Sequence, residues 1–77
     1  MINIAEGVRE VIAFHLGAIE TRMTEDAKLT ELGADSIDVY EVVMSLEERF
    51  HINIDDRDAQ CLVTIGDTIA FIKSKIG

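Results

Sequence analysis

Apolar residues fall at helical spacing in three stretches of this chain and leave a fourth stretch unpatterned. Ile4, Val8, Val11, Ile12 and Leu16 recur every three or four positions behind Asn3 and Glu6, a cap and its partner. A first helix is therefore predicted over roughly 3–16, ending near Gly17. A second is predicted over roughly 36–50 and carries two apolar lines. Val39, Val42, Val43, Leu46 and Phe50 follow the spacing of a core face, while Ile37, Tyr40 and Met44 run beside them among acidic residues. Asp55 to Cys61 suits a short third helix, and Thr64 with Asp67 caps a fourth that would turn Ile65, Ile69, Ile72 and Ile76 inward. The stretch from 17 to 35 has no clean period and is long for a connection inside a compact domain, so Ile19, Met23, Leu29 and Leu32 are expected to pin it. The pattern predicts an all-α fold, a four-helix up-and-down bundle with a long loop between helices one and two and a short third helix.

Length and composition narrow the classes. Residues 1–77 fit one domain, whose small core needs well-packed helices because no staple is visible. One cysteine, Cys61, excludes an internal disulfide and reads as a small buried hydrophobe in a reducing compartment. His15 and His51 stand apart, with no metal-ligand spacing, and are expected at the surface or its boundary. The first residues carry no basic n-region and no apolar run approaches membrane-spanning length, so a cytoplasmic chain, or the mature form of an imported one, with no membrane span is expected. Fifteen acids against seven bases give a net charge of -8, which argues against nucleic acid and for basic protein partners. Asp35, Asp38, Glu41, Glu47 and Glu48 gather on and around the second predicted helix, and the line Ile37, Tyr40 and Met44 beside them reads as a partner-contact patch.

The candidate chemistry lies in Leu32-Gly33-Ala34-Asp35-Ser36-Ile37-Asp38. Gly33 permits a turn closed to other residues. Asp35 is a good N-cap, and Asp38 falls where a carboxylate meets free amides of the first turn. Ser36 then occupies the first helical position, where the helix start favours a bound phosphate. Asp35 and Asp38 oppose an anion but favour a metal ion that escorts one. A serine esterified through a phosphodiester fits this setting better than a serine acting as an unaided nucleophile. Gly-x-Ser-x-Gly is not present around Ser36, so a serine hydrolase is not expected.

This motif resembles the attachment site of acyl carrier proteins. The resemblance continues through Glu41 to Phe50, Ile52-Asn53-Ile54, Thr64-Ile65-Gly66-Asp67 and Ile69-Ala70-Phe71-Ile72. It implies a non-enzymatic monomer whose Ser36 carries a covalent 4'-phosphopantetheine arm taken from coenzyme A. A phosphopantetheinyl transferase would place it, with magnesium bound partly by Asp35 and no metal intrinsic to the chain. The arm would hold acyl groups as thioesters for fatty-acid or related lipid biosynthesis. The resemblance also implies that acyl-transfer, synthase and reductase enzymes with basic docking surfaces meet Ile37, Asp38, Tyr40, Glu41, Met44, Glu47 and Glu48. An acyl chain would shelter among Val39, Leu46, Ile54, Ala59, Leu62 and Ile69. Tyr40 departs from the family's aliphatic residue, Asp55 from its common proline and Cys61 from its usual polar residue, which leans toward a specialised pathway. The alternatives are an aminoacyl or peptidyl carrier, which uses the same arm, and an unmodified acidic interaction module.

Overall fold

The computed structural model describes residues 3–17 and 23–76. Four α-helices follow in order: α1 (Ile4–Leu16), α2 (Ser36–Phe50), α3 (Asp56–Ala59) and α4 (Ile65–Ile76), with a 3-10 helix at Leu29–Leu32 before α2. The all-α class and the placing of the helices agree with the hydrophobic pattern. The expected contribution of Ile19 lies outside the described residues.

Each long helix starts where local chemistry tells it to. Asn3 accepts from the N–H of Glu6 at 3.1 Å and opens α1, which ends at Gly17 in the left-handed conformation. Thr64 and Asp67 exchange bonds at the start of α4, with the Thr64 hydroxyl taking the Asp67 N–H at 3.0 Å and the Asp67 carboxylate the Thr64 N–H at 3.1 Å. Helix α3 covers a single turn, shorter than the predicted 55–61; the Asp55 carboxylate caps it, and none of its own residues is buried.

The core lies where α1 packs on both α2 and α4. Val8, Ile12, Val42, Leu46, Ile65 and Ile72 are at most 1% exposed. Buried Thr68 returns its hydroxyl to the Thr64 carbonyl at 3.0 Å, so its polar group is not orphaned. Ile76 was expected inward, but it is exposed at the last position of α4, beyond the reach of the core. Cys61 is likewise exposed rather than buried, because it follows the single turn of α3 on its outer side.

The connection before α2 is tied down as expected, by backbone as well as by side chains. Met23 and Leu29 are buried, and Leu32 is half-buried. Lys28 and Thr64 form an isolated antiparallel bridge, the Leu29 N–H reaches the Val63 carbonyl, and the Ile65 N–H reaches that of Ala27. At the start of α4 the Gly66 N–H meets the Glu25 carbonyl at 2.7 Å. A Cβ on Gly66 would stand 2.9 Å from that same oxygen, so this contact needs glycine.

Candidate functional site

Gly33 adopts φ 93, and the chain turns there from the 3-10 helix into the start of α2. Asp35 is the N-cap. Its carboxylate accepts from the N–H of Asp38 at 2.9 Å, and the Asp38 carboxylate accepts from the N–H of Asp35 at 3.1 Å. The two acids thus satisfy each other's backbone donors. Ser36, between them, is left out of this pair and stands exposed at the first helical position, as the sequence predicts.

Two open grooves meet at Ser36. One, of about 700 Å³, runs between α2 and α3 and is lined by Ser36, Val39, Tyr40, Val43, Met44 and Glu47 of α2, then by Ile54, Asp56, Ala59 and Gln60. The other, of about 530 Å³, is lined by Leu29, Thr30, Ala34, Asp35, Leu62 and Val63, and shares Ser36, Val39, Ala59 and Gln60 with the first.

The sequence-predicted acyl pocket divides on this geometry. Val39, Ile54, Ala59 and Leu62 line the grooves at Ser36. Leu46 and Ile69 line neither; they are buried in the closed core behind them. Helical periodicity marks which side chains turn inward but not which inward side chains border an opening. Val39, assigned from its spacing to the core stripe, is only half-buried and forms the wall common to both grooves. Cys61, which departs from the family's usual polar residue, lines neither groove; its neighbours Gln60 and Leu62 do.

The partner patch also divides. Ile37, Tyr40 and Met44 are exposed, as are Glu41 and Glu48, while Asp38 is engaged with the helix start. Tyr40 and Met44 additionally line the larger groove. Glu47 differs from the other acids. It is half-buried, and its carboxylate accepts from the N–H of buried Ile54 at 2.8 Å, fastening the segment that leads into α3. No periodicity could reveal this bond, because it joins a helix to an irregular stretch seven residues on.

On the opposite side of α2, His15 of α1 lies 2.6 Å from the Ser45 hydroxyl and 3.6 Å from the Glu41 carboxylate, and its ring stacks on Phe14. Arg49 donates to Glu10 on the same side. His15 therefore sits at the boundary, as expected, with partners across the helix pair that sequence spacing did not reveal. Exposed His51 closes α2 in the left-handed conformation, φ 54. No group of metal-ligating side chains occurs among the described residues.

Ser36 suits a covalent phosphopantetheine arm. Its hydroxyl is solvent-facing at a helix start, it carries no capping duty, and both grooves open beside it. The family described as "Phosphopantetheine attachment site" matches residues 6–72. An acyl carrier protein of Thermotoga maritima is 41% identical over 76 residues, covering 97% of this chain and 94% of that protein. One from Solidesulfovibrio magneticus is 42% identical over 77 residues, covering 99% of each. The motif around Ser36, the helices that present it and this similarity along nearly the whole length agree, and the chain belongs to the phosphopantetheine-binding acyl carrier protein family.

Proposed function

We propose that this protein carries acyl intermediates of fatty-acid or related lipid biosynthesis on a 4'-phosphopantetheine arm joined to the Ser36 hydroxyl. The observation that carries the reading is the placement of Ser36: exposed at the first position of α2, outside the Asp35–Asp38 capping pair, at the junction of two grooves. When bound, the arm supplies a thiol that holds an acyl group as a thioester at high effective concentration near successive enzymes. The chain's own residues do the rest. The capping pair fixes the helix start and hence the serine. Asp35 is also the carboxylate placed to help a transferase hold magnesium. Val39, Ile54, Ala59 and Leu62 offer apolar walls, and each methylene they remove from water contributes roughly 0.8 kcal/mol.

The exposed strip Ile37, Tyr40 and Met44, with Glu41 and Glu48 beside it, serves as the docking face for partners with basic surfaces. The net charge of -8 steers their approach. Glu47 acts through Ile54 as a fastening for the groove wall as well as adding charge to this face. No helix among the described residues is long and apolar enough to cross a membrane. The cytoplasm, with its coenzyme A and its reduced thiols, is the compartment this chemistry needs.

The deciding experiment incubates purified protein with coenzyme A, magnesium and a phosphopantetheinyl transferase and follows intact mass. Wild type is expected to gain one arm and Ser36→Ala none. A gain in Ser36→Ala, or none in wild type, would overturn the reading.

A further inference from the structure

Ser45, His15 and Glu41 form a group for which the carrier reading has no use. Glu41, Ser45 and Arg49 are four residues apart on α2, so a carboxylate, a hydroxyl and a guanidinium follow one another along a single face at one-turn spacing. His15 of α1 lies across from them. Its Nε2 is 2.6 Å from the Ser45 Oγ, and its Nδ1 is 3.6 Å from a Glu41 carboxylate oxygen, an ion-pair rather than a hydrogen-bond distance. The carboxylate favours the ring proton on Nδ1, and Nε2 is then the acceptor that takes the Ser45 O–H. Phe14 stacks on the ring at 5.3 Å between centroids. A cleft of about 290 Å³ opens here, lined by Glu10, Val11, Phe14, His15, Ser45 and Arg49, and it shares no lining residue with the grooves at Ser36.

A tie between two helices needs one hydrogen bond and nothing more. A hydroxyl whose proton is taken by a ring nitrogen, itself backed by a carboxylate and beside an open cleft, is also the arrangement of an activated nucleophile. We propose that Ser45 is an acyl-accepting serine, with His15 as its general base and a short acyl thioester as the donor. The inference does not depend on the arm at Ser36. Ser45 Oγ attacks the thioester carbonyl, and its proton passes to His15 Nε2. The C–O bond forms, the C–S bond breaks with its electron pair on sulfur, and the proton returns from His15 to the thiolate, so the products are an O-acyl serine and a thiol. Arg49, one turn along the same face and shared with Glu10, supplies positive charge at the cleft where the carbonyl oxygen becomes negative. A serine ester is less activated than the thioester it comes from, and the amides of α2 around Ser45 are spent within the helix, so the acyl group stays in place. The ester oxygen has no proton to donate. Acylation therefore also removes the Ser45–His15 bond between α1 and α2.

The test incubates the protein, before any arm is attached, with S-phenyl thioacetate and follows acetylation by fragmentation in the mass spectrometer. A wash in neutral hydroxylamine strips thioesters from exposed Cys61 and leaves serine esters. Acetyl is expected on Ser45, and not on exposed Ser36 or on Ser74, whose hydroxyl bonds only the Phe71 carbonyl of its own helix. His15→Ala should slow acetylation of Ser45 at least about tenfold, the smaller part of what a positioned general base contributes. His15→Gln, which keeps a side chain able to bond Ser45 but no base, should be equally slow, and circular dichroism checks that both variants remain helical. Absence of acetyl on Ser45, a rate at Ser45 no faster than at Ser74, or equal rates in wild type and the folded His15 variants would each overturn the proposal.

Discussion

Leu46 and Ser36 stand on one helix in opposite settings. Around Leu46, α2 presses on α1, which packs on α4 in turn, and the side chains from Val8 to Ile72 exclude water almost completely. Around Ser36, α2 faces a single-turn helix with no buried residue and two grooves open to solvent. A helix as short as α3 does not persist by its own hydrogen bonds. It is held by Ile54 and Leu62 buried on either side, by the Asp55 carboxylate on the Asp58 N–H, and by Glu47 on the Ile54 N–H. The three long helices thus supply most of the buried core, and the groove side is joined to it through Ile54 and Leu62.

The comparison breaks first at the core. Leu46→Ala removes most of a fully buried side chain and should cost about 2–5 kcal/mol in urea unfolding. Val39→Ala, on a half-buried groove wall, should cost clearly less. Equal losses would mean that the open side is packed as tightly as the closed one.

The next effect concerns the ties between the pre-α2 connection and α4. Gly66→Ala forces a methyl against the Glu25 carbonyl oxygen and should destabilise by about 1–3 kcal/mol, with amide protection lost at Gly66 and Ile65 before the rest of α4. A fully stable variant would show that this close approach is not needed.

Glu47 and Glu48 sharpen the contrast between neighbouring acids. Glu47→Ala strands the N–H of buried Ile54 and should lower stability by about 1–3 kcal/mol, whereas Glu48→Ala should stay within about 0.5 kcal/mol. In stopped-flow association with an acyl-transfer partner, Glu48→Lys should slow binding at low salt, an effect that fades as the screening length shortens to about 8 Å near physiological ionic strength. Matching melting curves for the two alanine variants would remove the fastening role assigned to Glu47.

The smallest effects separate cap from cargo site. Asp35→Ala should cost about 1 kcal/mol through the lost cap, while Ser36→Ala, which breaks no capping bond, should unfold within about 0.5 kcal/mol of wild type. Loss of stability in Ser36→Ala comparable to that in Asp35→Ala would show that the serine holds the helix start.

What was legible in the sequence was local. Asn3 with Glu6, Asp35 with Asp38 and Thr64 with Asp67 are three residues apart, so the sequence itself brings cap and partner together. The inward faces follow from helical spacing until a helix outruns the core, as at Ile76. What was illegible depends on tertiary placement. His15 meets Ser45 and Arg49 meets Glu10 only because α1 lies on α2. The exposure of Cys61 and the absence of Leu46 and Ile69 from the grooves depend on how the chain packs around α3, which no periodicity encodes.

The central claim is that the exposed serine at the start of α2 is the attachment point. Fragmentation of the transferase-treated protein in the mass spectrometer tests it most directly, because it assigns the added mass to a residue. The account predicts that every fragment containing Ser36 carries the arm and that fragments bearing Ser45, Ser74 or the threonines without Ser36 do not. An arm located on any of those residues instead, with Ser36 bare, would contradict it.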